Sequence, residues 1–507
     1  MKSVRTFPLR LFRGAFFGAN HPEFSTNRRG FLQKSASLAA LAALTPWSAL
    51  QAAGRAAAPR VAIVGAGLGG LTTAWYLQKK GIAATVYEAS HRVGGRTLSM
   101  RNIFGEGLAV DLGGEFVDTW HDDLIALARE LKVELTDIRA SGLPKQDVRF
   151  YGGQRITDDV LEKAILPFVA AFQGDMKNIP ENISYKNMAS CAYLDDISIA
   201  DYLKQKGVSG WLYDYLWNAF TIEYGMNADE QSALNLLTVL HIPDAEDGAI
   251  IGGDGSEVLR VKGGAQTISE RLVERLPANT VRYNQPLVAL SPAPDGTGYR
   301  LSFEDNDPVV ADFVVLALPF TKLRELQMDI PVSEPKRRAI AELGYGNSAK
   351  LALGFKRRRW NELGFSGSVS SDLPFTETGW DGSATQPGPA GIWTLFSGGK
   401  YSDALGQGDF MAHTKQCLEG LNRLFPKIKK RYNGISQYWP WQSYQWSKAA
   451  YSCWKTGQWA AFAGAEGEPE GNVFFAGEHC SVEFQGFMNG AAESGRKAAE
   501  GIISKLG

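Results

Sequence analysis

The stretch VAIVGAGLGGLTTAWYLQKKGIAATVYEAS, residues 61–90, constrains the fold of this chain more than any other. Arg60 to Val64 is a short apolar, β-branched run that reads as a buried strand. Leu68 to Lys80 reads as a helix, with Leu71, Ala74, Trp75 and Leu77 on one apolar face. Between them lies Gly65-Ala66-Gly67-Leu68-Gly69-Gly70, a GxGxxG turn. Glycines serve there because the turn is tight, the backbone must approach a pyrophosphate closely, and the helix must pack against the strand. The helix start then offers unpaired N–H groups and partial positive charge to phosphate. A second strand, Ala84 to Tyr87, ends at Glu88, 23 positions after Gly65, where a carboxylate bonds both hydroxyls of a ribose and repels a 2'-phosphate. The reading is a dinucleotide grip, with NADP disfavoured.

Three further segments narrow it. Glu88-Ala89-Ser90-His91-Arg92-Val93-Gly94-Gly95-Arg96-Thr97 extends the second strand with bare backbone between two arginines, a pairing suited to a second phosphate. Asp111-Leu112-Gly113-Gly114-Glu115-Phe116-Val117 follows. Near the other end, Asn472 to His479 reads as a strand and turn, and Gly486-Phe487-Met488-Asn489-Gly490-Ala491 opens a helix running towards Ile503. Together these segments resemble the flavin-containing amine oxidase family, and the resemblance spans roughly residues 60–507. It implies an α/β fold: a Rossmann-like, three-layer FAD-binding domain interleaved with an α+β substrate-binding domain. The expected division is residues 58–140, 255–330 and 460–507 for FAD, and 141–254 and 331–459 for substrate, after a leader of residues 1–57.

The resemblance also implies roles. Gly65, Gly67, Leu68, Gly69, Gly70, Glu88, Ala89, Arg92, Gly94, Gly95 and Arg96 are expected to hold the ADP half. Gly113, Gly114, Glu115 and Phe116 are expected near the flavin ring, and the backbone of Val288 at the adenine. Gly477 and Glu478 are expected at the ribityl chain, with Gly486, Phe487, Met488 and Ala491 at the pyrimidine edge. Lys350, inside the apolar alternation Asn347 to Leu353, stands where relatives place a lysine that reaches a water near flavin N5; alternation alone equally allows a solvent-facing lysine on an edge strand. Trp441 and Tyr451 have the ten-residue separation of a monoamine-oxidase-like pair, and Tyr451 with Phe487 would form the two walls of an aromatic cage. Relatives with covalent flavin carry Cys at position 450; this chain has Ala450, so non-covalent FAD is expected. Glu115, Asp118 and Glu223 are candidates for attracting a cationic amine, and each is equally readable as a surface or capping carboxylate.

The expected activity is oxidation of a primary or secondary amine to an imine, with electrons passing to O2 as H2O2 or to a periplasmic carrier. An L-amino-acid oxidase is the alternative, weakened because Asp118-Thr119-Trp120-His121 stands where such relatives carry a carboxylate-gripping arginine. A desaturase would share the grip without needing Lys350 and the Trp441/Tyr451 pair; a flavoprotein accessory subunit would need no catalytic residues at all. Lys and Arg number 53 against 54 acidic residues, a balance that gives no reason to expect nucleic acid or an anionic membrane as partner. Four scattered cysteines, none in a CxxC pair, suggest neither a disulfide scaffold nor a metal site. Asn27-Arg28-Arg29-Gly30-Phe31-Leu32 ahead of the Ala/Leu run Ser37 to Leu44 resembles a bacterial twin-arginine signal, so a periplasmic or secreted protein is expected. That run falls short of the roughly 20 apolar residues of a membrane anchor. A homodimer is left open.

Overall fold

The structure, a computed structural model, describes residues 58–240 and 257–507. The twin-arginine motif lies outside the described residues. At the centre is a five-stranded sheet in the order Val281–Arg282, Ala84–Tyr87, Val61–Val64, Phe313–Leu316, Val473–Phe475, with every neighbouring pair parallel. Val61–Val64 and Phe313–Leu316 are buried at every position, as continuous apolar runs covered on both faces should be. Helix Leu68–Gln78 packs against the long terminal helix Met488–Leu506; the Thr73 hydroxyl lies within hydrogen-bond reach of Gly69 O (2.9 Å) and Gly495 O (3.0 Å), one carbonyl from each helix. Residues more than 400 positions apart thus share one core.

The apolar run Ala311 to Ala317 divides in two. Asn306–Ala311 belongs to an antiparallel sheet with Tyr299–Phe303 and Leu287–Pro292, whereas Phe313–Leu316 joins the parallel one. The break falls at Asp312, whose carboxylate accepts from the Arg60 backbone N–H at 2.8 Å and from its guanidinium at 2.5 Å. A carboxylate occupied this way fixes the chain at the crossing between sheets.

A seven-stranded sheet forms the second body of β structure, ordered Tyr432–Pro440, Ser348–Phe355, Gly391–Gly398, Thr378–Asp381, Phe365–Ser371, Gln146–Tyr151, Gln154–Arg155. Ser348–Phe355 is an interior strand, buried throughout, with Lys350 opposite Phe396 on one side and Trp439 on the other. The solvent-facing, edge-strand reading of Lys350 is excluded. The helices expected from the middle of the chain include Asp158–Met176, Ile199–Gln205 and Gly210–Tyr224. On the first, Leu161, Ile165, Val169 and Phe172 are buried, but Leu166 is 56% exposed. Leu166 follows Ile165 by one residue, about 100° around the helix, and so leaves the buried stripe.

One buried charge serves no part of the site. Lys336, on helix Glu334–Glu342, is fully buried, its Nζ donating to Glu466 O (2.5 Å) above the Phe475 ring. Burial, only partly offset by nearby Cys480 and Glu466, pulls its pKa down from 10.5 to about 8. Between those two values the unfolded chain holds a proton that the folded chain has lost, so stability rises as pH rises through that window. Lys336→Met removes the buried charge. It is expected to stabilise the fold at pH 7 by on the order of 1–3 kcal/mol, an advantage that shrinks above pH 8 in urea titrations.

Candidate active site

Four of the five C-terminal strand ends of the parallel sheet converge. Gly65 follows the first strand, Glu88 the second, Ala317 the fourth in chain order and Gly477 with Glu478 the last, and all five line one continuous cavity. Ligands of open parallel sheets bind at such strand ends. Two helix starts face the same space. Leu68–Gln78 begins after Gly67 and Met488–Leu506 after Phe487, and neither has a side-chain cap. Uncapped N–H groups carrying partial positive charge call for anionic or carbonyl oxygen partners, and a flavin dinucleotide would supply both, its pyrophosphate suiting the first helix and its pyrimidine edge the second. Gly65, at φ +103°, shows why the turn admits no side chain, since a Cβ there would lie 2.6 Å from Ala317 O.

Of the residues expected at FAD, Gly65, Gly67, Leu68, Gly69, Glu88, Ala89, Gly94, Gly95, Arg96, Gly113, Gly114, Glu115, Phe116, Val288, Gly477, Glu478, Gly486, Phe487, Met488 and Ala491 all line the cavity. Gly70 and Arg92 do not. Gly70 is a packing glycine: a Cβ would sit 2.0 Å from Gly65 O. Arg92 spends its guanidinium on its own loop, donating to the carbonyls of Gly95 (2.6 Å), Val93 (3.2 Å) and Thr97 (3.3 Å). It shapes the Gly94-Gly95 turn and is no phosphate clamp.

Glu88 accepts from Ala66 N (2.8 Å) and from Ser90 N and Oγ (2.9 and 2.7 Å). A carboxylate has about four acceptor positions, so capacity remains for a ribose hydroxyl. Glu478 is more fully engaged, accepting from Arg96 (2.7 Å), Ser452 N and Oγ (3.2 and 2.6 Å) and Gly486 N (2.7 Å). Burial alone would raise its pKa, but the Arg96 charge and these bonds hold it below the usual range. Glu478 is therefore a structural carboxylate, fixing Arg96 and the Gly486 turn around the cavity.

Lys350 is 4% exposed, and its ammonium donates to Asp111 O (3.0 Å), Gly113 O (2.9 Å) and Glu115 Oε2 (2.7 Å). Three N–H donors thus have three protein acceptors. Lys350 thereby anchors the Gly113 turn and joins the D-x-G-G segment to the interior strand that carries it. Glu115 also accepts from Trp380 Nε1 (2.9 Å) and pairs with Arg260 (3.2 Å). Burial pushes its pKa up, and the two cations more than reverse this. Asp111, buried beside Glu115, is raised to about 7 by burial first and that neighbouring charge second. Trp380 and Phe396 flank Lys350, with the ammonium 5.1 and 5.9 Å from their ring centres, and both line the cavity. Trp380, Phe396, Thr378 and Arg260 carried no local sequence signal.

Tyr451, Phe487 and Trp441 reach the same cavity. The Tyr451 hydroxyl donates to the backbone carbonyl of Glu223, which is another lining residue. Trp441 is 4% exposed, donates to Leu112 O (2.8 Å) and packs against Trp439 and Tyr444, so it supports the D-x-G-G segment from behind. Of the acidic candidates, Glu115 is committed to Lys350 and Arg260. Asp118 is buried away from the cavity, accepting from Glu257 N. Glu223 alone of the three lines the cavity without being part of that ion-pair cluster.

The profile of the flavin containing amine oxidoreductase family matches residues 68–503. The chain belongs to this family. It is similar to an L-amino acid dehydrogenase of Synechocystis sp. (24% identity, 88% of this chain, 94% of that one) and to flavin-containing amine oxidase B of Homo sapiens (24%, 88% and 86%). Cyclohexylamine oxidase from Brevibacterium oxydans shares the fold, with a TM-score of 0.77 at 22% identity over 88% of this chain and 99% of that one. The protein is an FAD oxidoreductase.

Its FAD is non-covalent. Ala450 lines the cavity with no thiol to offer, and none of Cys191, Cys417, Cys453 and Cys480 lines it. Acid precipitation of the purified protein should leave all the yellow chromophore in the supernatant; colour retained in the washed pellet would show a covalent link.

Proposed function

We propose that the protein oxidises a primary or secondary amine to an imine, which water then hydrolyses to an aldehyde or ketone and ammonia or a smaller amine. Bound FAD would supply the redox chemistry, accepting the hydride that the amine's α-carbon loses as its nitrogen loses a proton, with O2 as the final acceptor leaving as H2O2. The reading rests on one observation above the others: the cavity that grips the dinucleotide continues to a wall of Tyr451, Phe487, Trp380 and Phe396 around Lys350. Loss of water within this wall and the nearby Lys350 charge raise the cost of an ammonium and favour a neutral amine. The aromatic faces also hold the substrate by contact area rather than by a bond to its nitrogen, leaving the lone pair for the developing C=N bond. The buried cation of Lys350 favours negative charge on the reduced ring.

Similarity to an L-amino acid dehydrogenase supports a second reading, oxidation of an L-amino acid. Against it, the one arginine among the described residues lining the cavity is Arg96, already engaged by Glu478 and by Ala450 O (2.8 Å). A substrate carboxylate would meet no uncommitted arginine among the described lining residues, and the lining Lys322 already pairs with Glu325 at 2.6 Å. We further propose export to the periplasm, supported by Arg28-Arg29 and the apolar run behind them.

Mixed anaerobically with mono-, di- and polyamines, the yellow protein should bleach with at least one, and kcat/KM should rise with pH towards that amine's pKa. Bleaching by an L-amino acid and by no amine overturns the amine assignment. Lys350→Met should keep its FAD and slow reoxidation by O2 at least ~10-fold in stopped-flow traces. An unchanged reoxidation rate would remove Lys350 from the chemistry.

A further inference from the structure

The balanced charge of the whole chain conceals a local excess. Two basic runs, Lys356-Arg357-Arg358-Arg359 and Lys427-Ile428-Lys429-Lys430-Arg431, are distant in sequence and adjacent in the fold. The Lys356 backbone N–H donates to Arg431 O (2.7 Å), and Arg359 Nε donates to Pro426 O (3.0 Å). Each run has an apolar anchor: Trp360 and Ile428 are both fully buried in the core beneath the seven-stranded sheet. With the anchors pointing in, the flanking cations point out. Lys356, Arg357, Lys427, Lys429 and Lys430 are exposed, and Arg359 and Arg431 are half-buried beside them. Arg358 turns inward, to the carbonyls of Ser383 (3.1 Å) and Gln386 (2.8 Å).

Seven cations on this face meet two carboxylates. Glu362 is shared by Arg359 (3.0 Å), Arg357 (3.8 Å) and Arg431 (3.8 Å), and Glu419 pairs with Lys429. The face keeps a surplus of five positive charges in a chain whose formal net charge is −1. Exposed lysines in such a cluster repel one another unless an anion covers them.

We propose that this face docks on an anionic phospholipid surface. The patch offers charge without shape. Its elements, Arg359–Glu362 and Ile428–Arg431, are four residues each, too short to enter a nucleic-acid groove as a helix does. Its aromatic side chains are not available for stacking: Trp360 is buried, and Tyr432 is half-buried with its ring against Phe355. Flexible lysine stems ending in compact charges suit a diffuse layer of headgroups, where each cation near the surface strengthens binding about fivefold. Lys356 lies six residues along the strand direction from Lys350, about 20 Å at the usual strand rise, so the docking face is separate from the redox site.

The test uses the full-length, FAD-loaded protein and sedimentation with vesicles, read by flavin absorbance in the pellet. Pelleting is expected with phosphatidylglycerol-containing vesicles at about 0.05 M salt, and its loss at about 0.5 M salt and with pure phosphatidylcholine. The triple variant Lys356→Glu, Lys427→Glu, Lys430→Glu should partition at least ~100-fold more weakly, with FAD content and amine turnover unchanged. The triple Gln variant should fall between it and the parent, and serves if the Glu variant fails to fold. Absence of pelleting at low salt, or equal pelleting of parent and variants, overturns the proposal. Tighter retention by duplex DNA than by anionic vesicles under the same salt replaces lipid with nucleic acid.

Discussion

Everything in the cofactor cavity leans on one buried carboxylate. Glu478 joins Arg96 from the first third of the chain, Ser452 from the aromatic segment and the Gly486 amide at the head of the terminal helix. Truncating it would take from Arg96 its carboxylate partner, leaving the Ala450 carbonyl, and from the part-buried Gly486 amide its acceptor, a cost above that of a surface pair. The bonding also explains why motifs at the two ends of the sequence function as one. Each supplies half of a hydrogen-bonded ring, and the parallel sheet, with Val473–Phe475 beside Phe313–Leu316, sets the halves within reach.

A second buried cluster governs the flavin end. Lys350 and Arg260 are two cations set against Glu115 and the raised carboxyl of Asp111. The Asp111 carboxyl meanwhile binds Ser99 Oγ (2.5 Å) and Ala265 N (2.9 Å), tying the strand before the D-x-G-G turn to the helix at Gln266–Arg275. Glu115 is held ionised by its two cations, while burial and the Glu115 charge push the Asp111 carboxyl up towards its neutral form, so the balance beside Gly113 tilts to a positive surplus. That surplus comes from rigid, interior elements and needs no rearrangement when charge develops nearby, which is the condition for electrostatic preorganisation.

Much of the grip was legible because its requirements are local. A strand, a glycine turn, a helix start and an acidic residue at the next strand end occupy neighbouring positions, so spacing in sequence stands for distance in space. Lys350 was legible for a related reason, as a charge interrupting an apolar alternation. The misreadings share a cause. Arg92 looked like a phosphate ligand because sequence shows charge but not the carbonyls of Gly95, Val93 and Thr97 that absorb it. Trp380 and Phe396 escaped notice because strand pairing across the seven-stranded sheet, a long-range property, delivers them to Lys350. The basic face was hidden by averaging, since total charge says nothing about where the surplus gathers.

The two walls of the cavity differ in how they bind, and this difference bears on substrate choice. One wall works through backbone: glycine turns, strand ends and helix starts, where a new side chain collides with main chain, as at Gly65 and Gly113. The other works through side chains on interior strands and the end of a helix, among them Thr378, Trp380, Phe396, Ile222 and Glu223. A substitution in the second wall alters size or polarity without touching the grip, provided the volume can be accommodated. A fold divided in this way holds its cofactor under strict constraint while its substrate wall drifts. Proteins named as an L-amino acid dehydrogenase, a flavin-containing amine oxidase and a cyclohexylamine oxidase each match this chain at 22–24% identity. On the proposed amine-oxidising reading, selection among substrates falls to the sheet-borne wall, the part of the site whose residues no short motif announces.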